Sequence, residues 1–179
     1  MRATTTPVFL LTLALAACGD ASLVSASDVP TFARVGADVS STSARPIHGR
    51  CELIVTPISF IPPIIRQSDT GTCQISHLGR STFAGTLEIN LATGTQRGER
   101  TLTAANGDIL RLVSIGRSVP IGPGLVSFSA TFTFVGGTGR FANATGQARG
   151  EGTANLVTRA TSLTLDGSIT YDASDRSSR

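Results

Sequence analysis

Three stretches of this sequence alternate apolar and polar residues without a break, and that period limits the fold more than any other feature. Phe83, Gly85, Leu87, Ile89 and Leu91 share one parity, with Thr86, Glu88 and Asn90 on the other. Val126, Phe128, Ala130, Phe132 and Phe134 alternate with Ser127, Ser129, Thr131 and Thr133. Leu163, Leu165, Gly167, Ile169 and Tyr171 alternate with Thr164, Asp166, Ser168 and Thr170. A period of two places every second side chain on the same face, so each stretch reads as a strand with one dry and one wet face.

Turn chemistry separates the runs. Residues 93–98 (Thr-Gly-Thr-Gln-Arg-Gly) punctuate one hairpin, and Asn106-Gly107 suits a type I′ turn because both positions tolerate positive φ. Pro120 to Gly124 marks a loop. About eight strands follow, near residues 51–60, 71–79, 81–92, 98–105, 108–116, 125–135, 146–158 and 162–171. Even spacing of this kind suits a barrel or a sandwich. The seventh strand decides for the barrel. It carries Gly146, Ala148, Gly150, Gly152, Ala154 and Leu156 on one face, opposite a neighbour bearing Phe128, Phe132 and Phe134. Rings lying over glycines fill a curved interior, and glycine also permits strong bending.

The segment from Phe134 to Phe141 (Phe-Val-Gly-Gly-Thr-Gly-Arg-Phe), followed by Ala144-Thr145-Gly146, resembles the turn of the allene oxide cyclase and dirigent β-barrels. It is also similar to bacterial exported proteins of the same barrel type, which show stretches like His77-Leu78-Gly79-Arg80 and residues 104–108, Ala-Ala-Asn-Gly-Asp. The resemblance covers residues 125–171 closely and 73–124 loosely. It implies an all-β fold, an eight-stranded antiparallel up-and-down barrel with a central cavity. The plant relatives cyclise a fatty-acid epoxide or steer phenoxy-radical coupling. Gly136, Gly137 and Gly139 match the turn, whereas no catalytic residue of either plant enzyme has a counterpart here. The same glycines look like a phosphate loop, but a nucleotide site needs a following α-helix, and here a strand follows.

The start of the chain reads as a targeting segment. Arg2 precedes an apolar run from Val8 to Ala17, broken only by Thr12 and too short to span a bilayer, which takes ~20 residues. Leu15-Ala16-Ala17-Cys18 fits a bacterial lipobox, with an ordinary secretory signal as the alternative. The expected order is a signal peptide at 1–17, a lipidated Cys18 and flexible tether at 18–46, a barrel at 47–173 and a disordered tail at 174–179. Gly19 after the cysteine, rather than Asp, resembles an outer-membrane address in the cell envelope. A short helix over Val29 to Val39 is the alternative within the tether, opposed by Pro30 and Gly36.

Net charge is only +3, and the basic residues, all arginine, are scattered. Nucleic-acid binding calls for a concentrated basic patch, so no such partner is expected. His48, Cys51, Cys73 and His77 have spacings that could hold zinc. The competing readings are a Cys51–Cys73 disulfide and two free thiols. Export favours the disulfide, since Cys18 is taken by lipid and an even pair remains. No cofactor is implied. His77 is the leading candidate for acid–base work, with Glu52 as a possible partner. Arg111 is either a buried cation for an anionic headgroup or, if Leu110 and Leu112 point inward, part of an apolar outer stripe. The first functional expectation is a membrane-anchored lipoprotein whose barrel is a binding or structural module for a small apolar ligand. The second is an isomerase or cyclase in the cavity, which would need His77, Glu52 and Arg111 to converge.

Overall fold

The computed structural model describes residues 43–172. Residues 1–42, with the leader, Cys18 and most of the tether, and residues 173–179 lie outside them. Eight strands follow in order: β1 (Arg45–Ile61), β2 (Ile64–Ile75), β3 (Gly79–Asn90), β4 (Thr95–Ala104), β5 (Ile109–Gly122), β6 (Leu125–Gly137), β7 (Thr145–Asn155) and β8 (Ala160–Thr170). Each pairs antiparallel with its sequence neighbours and β8 returns to β1, so the sheet is a closed up-and-down barrel. Closure satisfies the hydrogen bonds that an open sheet leaves at its edges.

β1 and β5 outrun the alternation that marks them. β1 begins at Arg45, because Ile47 is already buried on the parity of Cys51, Leu53 and Val55. The Pro and His flanking Ile47 hide that pattern in the sequence. β5 continues through Pro120 to Gly122, with the register shift between Pro120 and Gly122 accommodating the proline.

The interior is built by pairing large with small. Across β6 and β7, Phe134 faces Gly146, Phe132 faces Ala148, Ala130 faces Gly150 and Phe128 faces Gly152. Phe132 and Phe134 are buried, and Phe128 packs against the core while facing the open half of the barrel. β1 and β2 are clipped together by a disulfide: Cys51 and Cys73 are direct cross-strand partners with Cα atoms 4.0 Å apart. Both are buried inside the barrel. With a sequence separation of 22, the closed loop contributes about 3 kcal/mol on a chain-entropy view.

The two ends of the barrel differ. At one end lie the β2–β3, β4–β5 and β6–β7 connections and the point where the chain enters β1. The β6–β7 connection folds back through a short 3₁₀ turn, Gly139–Phe141, that drives Phe141 into the barrel. Phe141 packs against Tyr171 with ring centroids 5.2 Å apart and tilted by 54°, in one buried cluster with Ile47, Ile75, Leu110 and Ile169. Gly136 and Gly139 take positive φ, and at Gly137 a side chain would collide with the Ile109 carbonyl. These glycines let the connection cross the barrel end. Arg140 fastens the plug, donating to the His77 carbonyl and lying 3.6 Å from Asp108. The opposite end is open.

Candidate functional site

A cavity of about 570 Å³ occupies the open half of the barrel. That volume falls in the range of small-molecule sites. Leu53, Val55, Phe83, Leu87, Phe128, Phe132 and Leu163 supply its apolar walls. A polar cluster comes from β2, β4 and β5, while Ser59, Asn155 and Arg159 line the cavity from β1, β7 and the β7–β8 turn. Gln67 and Asp69 come from β2, Gln96 and Arg100 from β4, and Ser118 from β5. Across the cavity on β8, Thr161 Oγ1 is buried without a hydrogen-bond partner.

The centre of this cluster is an ion pair inside the barrel. Arg100 Nη2 donates to Asp69 Oδ2 at 3.0 Å, and both side chains are more than nine-tenths buried. Arg100 Nη1 donates to Ser114 Oγ, and Gln67 Nε2 donates to Asp69 Oδ1 at 3.3 Å. The pair spans an intervening strand, and the register shows how. Asp69 is opposite Gly85 on β3, and Gly85 is opposite Arg100 on β4. A Cβ at Gly85 would collide with the Arg100 side chain, and one at Gly98 would come within 2.6 Å of Arg100 Nη1. Two glycines thus open the path by which the guanidinium reaches the acid. The guanidinium also lies 5.5 Å from the Phe132 ring and 5.9 Å from Phe83, within cation–π range.

Burial pushes the Asp69 carboxyl above the usual carboxylate range. The Arg100 charge and the hydrogen bonds from Arg100 and Gln67 oppose that shift without cancelling it. Burial likewise works against the Arg100 charge, and Asp69 supports it. Higher in the cavity, Ser118 donates to Gln96 Oε1 at 3.3 Å, and Gln96 Nε2 donates to the Arg117 carbonyl at 3.4 Å.

The residues singled out from sequence lie elsewhere and do not converge. His77 sits in the β2–β3 turn at the plugged end with φ of 67°, its Nε2 2.8 Å from the Pro46 carbonyl oxygen. Glu52 points outward from β1, opposite Thr72 and Ser162. Arg111 is exposed on the outer wall between inward Leu110 and Leu112, beside outward Val113 and Ile115. The barrel cation is Arg100 instead. The zinc alternative also dissolves. Cys51 and Cys73 are bonded to each other, and His48 faces outward with Nδ1 2.6 Å from Asp166 Oδ2. Among the described residues, no group of three or more His, Cys, Asp or Glu is placed to hold a metal.

The chain matches no protein-family model, no curated protein and no solved structure.

Proposed function

We propose that this protein is a lipid-anchored envelope protein whose barrel binds one small, largely apolar molecule through its open end. The observation that carries the reading is the cavity itself: apolar walls around a polar cluster. Apolar surface supplies affinity, and a few fixed polar groups orient the ligand. Deep in the cavity Asp69 already neutralises Arg100, so the cluster there favours a neutral hydroxyl or carbonyl, while Arg159 lines the cavity nearer the mouth. Binding is favoured over isomerase or cyclase chemistry, because both oxygens of Asp69 are engaged by Arg100 and Gln67.

Titration with the fluorescent apolar amine N-phenyl-1-naphthylamine tests the reading. Emission should rise saturably to one site per chain, and a long-chain alcohol should displace the probe. Val126→Trp, at a half-buried wall position, should weaken binding about tenfold or more. Unsaturable emission, or equal binding by the variant, would refute the proposal.

The anchor rests on Leu15-Ala16-Ala17-Cys18 closing a short apolar run. Acyl chains contribute ~0.8 kcal/mol per buried CH₂, so several make a durable anchor. Cys18→Ala should abolish palmitate incorporation and release the protein from salt-washed membranes, most simply the outer membrane. Undiminished retention of that variant after a high-salt wash would show that Cys18 is not the anchor.

A further inference from the structure

The rim of the open end is apolar. Among the described residues, thirteen large hydrophobic side chains are exposed, and nine of them belong to the strand ends and turns around the mouth. Ile61 is 74% exposed and Val157 82%, at the tips of the β1–β2 and β7–β8 turns. Phe60, Leu91, Val119 and Leu156 are exposed and also line the cavity, so rim and cavity form one apolar surface. The turn tips themselves carry no charge from Ile61 to Ile64, from Leu91 to Gly94, or from Ile121 to Leu125. An exposed apolar ring of this kind marks an interaction surface.

Arginines surround the ring. Arg66 and Arg97 share Glu88, at 2.9 and 2.8 Å. Arg117 donates to the Thr93 carbonyl in the β3–β4 turn, and Arg159 stands exposed in the β7–β8 turn. Four arginines against one glutamate leave this collar positive. Apolar tips with a cationic collar behind them suit the boundary between acyl chains and anionic headgroups.

We propose that the open end docks onto an anionic lipid bilayer, tips in the interface and collar on the headgroups, so that the ligand passes between bilayer and cavity without crossing water. The docking rests on the cavity being a site for an apolar molecule. The chain enters β1 at the opposite, plugged end. Residues 19–42 have a contour length of about 80 Å, while a 12-residue strand such as β2 extends only about 40 Å along itself. That contour exceeds the length of the barrel wall, so an anchor at Cys18 is compatible with docking by the mouth.

The chain has no tryptophan, so a single introduced indole reports cleanly. The full chain carrying Val157→Trp, or Ile61→Trp as a second mouth position, is added to phosphatidylglycerol vesicles with brominated acyl chains. Emission should shift blue and lose most of its intensity, and high salt should weaken the effect. Ala105→Trp, exposed in the β4–β5 turn at the plugged end, should show neither change. Equal responses at the two ends, or none at the mouth, would overturn the docking. So would a mouth indole already shielded in buffer in a chain that sediments as a dimer, since a second copy would then cover the rim. Binding of the naphthylamine probe in buffer, measured on the same variants, reports folding and the cavity separately from docking.

Discussion

Asp69→Leu should destabilise the barrel by about 3–5 kcal/mol, because it strands the Arg100 cation in the interior. Arginine cannot shed its charge at accessible pH, and Ser114 would be its remaining side-chain hydrogen-bond partner. Arg100→Met leaves an acid behind instead, and an acid can take up a proton. Its loss should therefore depend on pH in a defined direction. Asp69 is already raised above its ordinary value by burial, and removing Arg100 removes the charge and hydrogen bond that hold it down. For a group raised in the folded state, the stabilising contribution is full below the unfolded pKa, near 3.8, and is lost as pH rises through the folded pKa. Relative to the parent at each pH, Arg100→Met should thus be mild in acid and worse toward neutrality. Asp69→Leu should be costly toward neutrality and less so in acid, where the parent's own Asp69 is protonated and no longer balances Arg100. The double variant Asp69→Leu/Arg100→Met should recover most of the loss, since a packed apolar pair replaces a buried ionic one at little cost. Urea unfolding at a series of pH values measures all three. A double variant as unstable as Asp69→Leu alone would mean that the interior needs the ion pair for more than charge balance.

Parity alone placed many of the walls. Leu110 and Leu112 inward force Arg111 outward, and the Phe-rich and Gly-rich strands meet ring over glycine. The same parity holds Arg100, two places before buried Leu102, and Asp69, four places before buried Cys73. Their inward direction was legible, but their meeting was not. It depends on the registers of β2 on β3 and β3 on β4, and on Gly85 standing between them. β4 also carries too few apolar residues at its start to announce an inner face. His77 stood out because an imidazole suits acid–base work near neutrality, a property that says nothing of where the ring points. A turn residue with positive φ takes its direction from the turn, and here it points at the β1 backbone. The rim was hidden for a related reason. Leu91 continues the inward parity of Leu87 and Ile89, yet it lies past the end of β3 and is exposed.

The packing of β6 on β7 predicts a second large effect, with an internal control. Phe132 is buried and touches the cavity, so Phe132→Ala should cost about 3–5 kcal/mol. Gly150→Val should also destabilise, because its Cβ would run into the Phe132 ring, with Leu163 Cδ1 at 3.1 Å on the other side. Overpacking of this kind costs ~1–3 kcal/mol even though valine favours strands. The two changes should not add. With the ring gone, the valine occupies the space it vacated, so Gly150→Val in the Phe132→Ala background should be close to neutral or rescuing. Gly152 behaves differently. Its Cβ would meet Phe128 Cζ at 2.6 Å, but it would also strike the backbone carbonyl of Ser162. Truncating Phe128 cannot move that carbonyl, so Gly152→Val should stay destabilising with Phe128→Ala beside it. Arg149→Ala, exposed on the outer face of the same strand, should change stability by less than about 0.5 kcal/mol. Thermal melts of the single and double variants measure the couplings. Equal rescue at both glycines would mean that the β7–β8 backbone yields, and that the rings alone set the spacing of the wall.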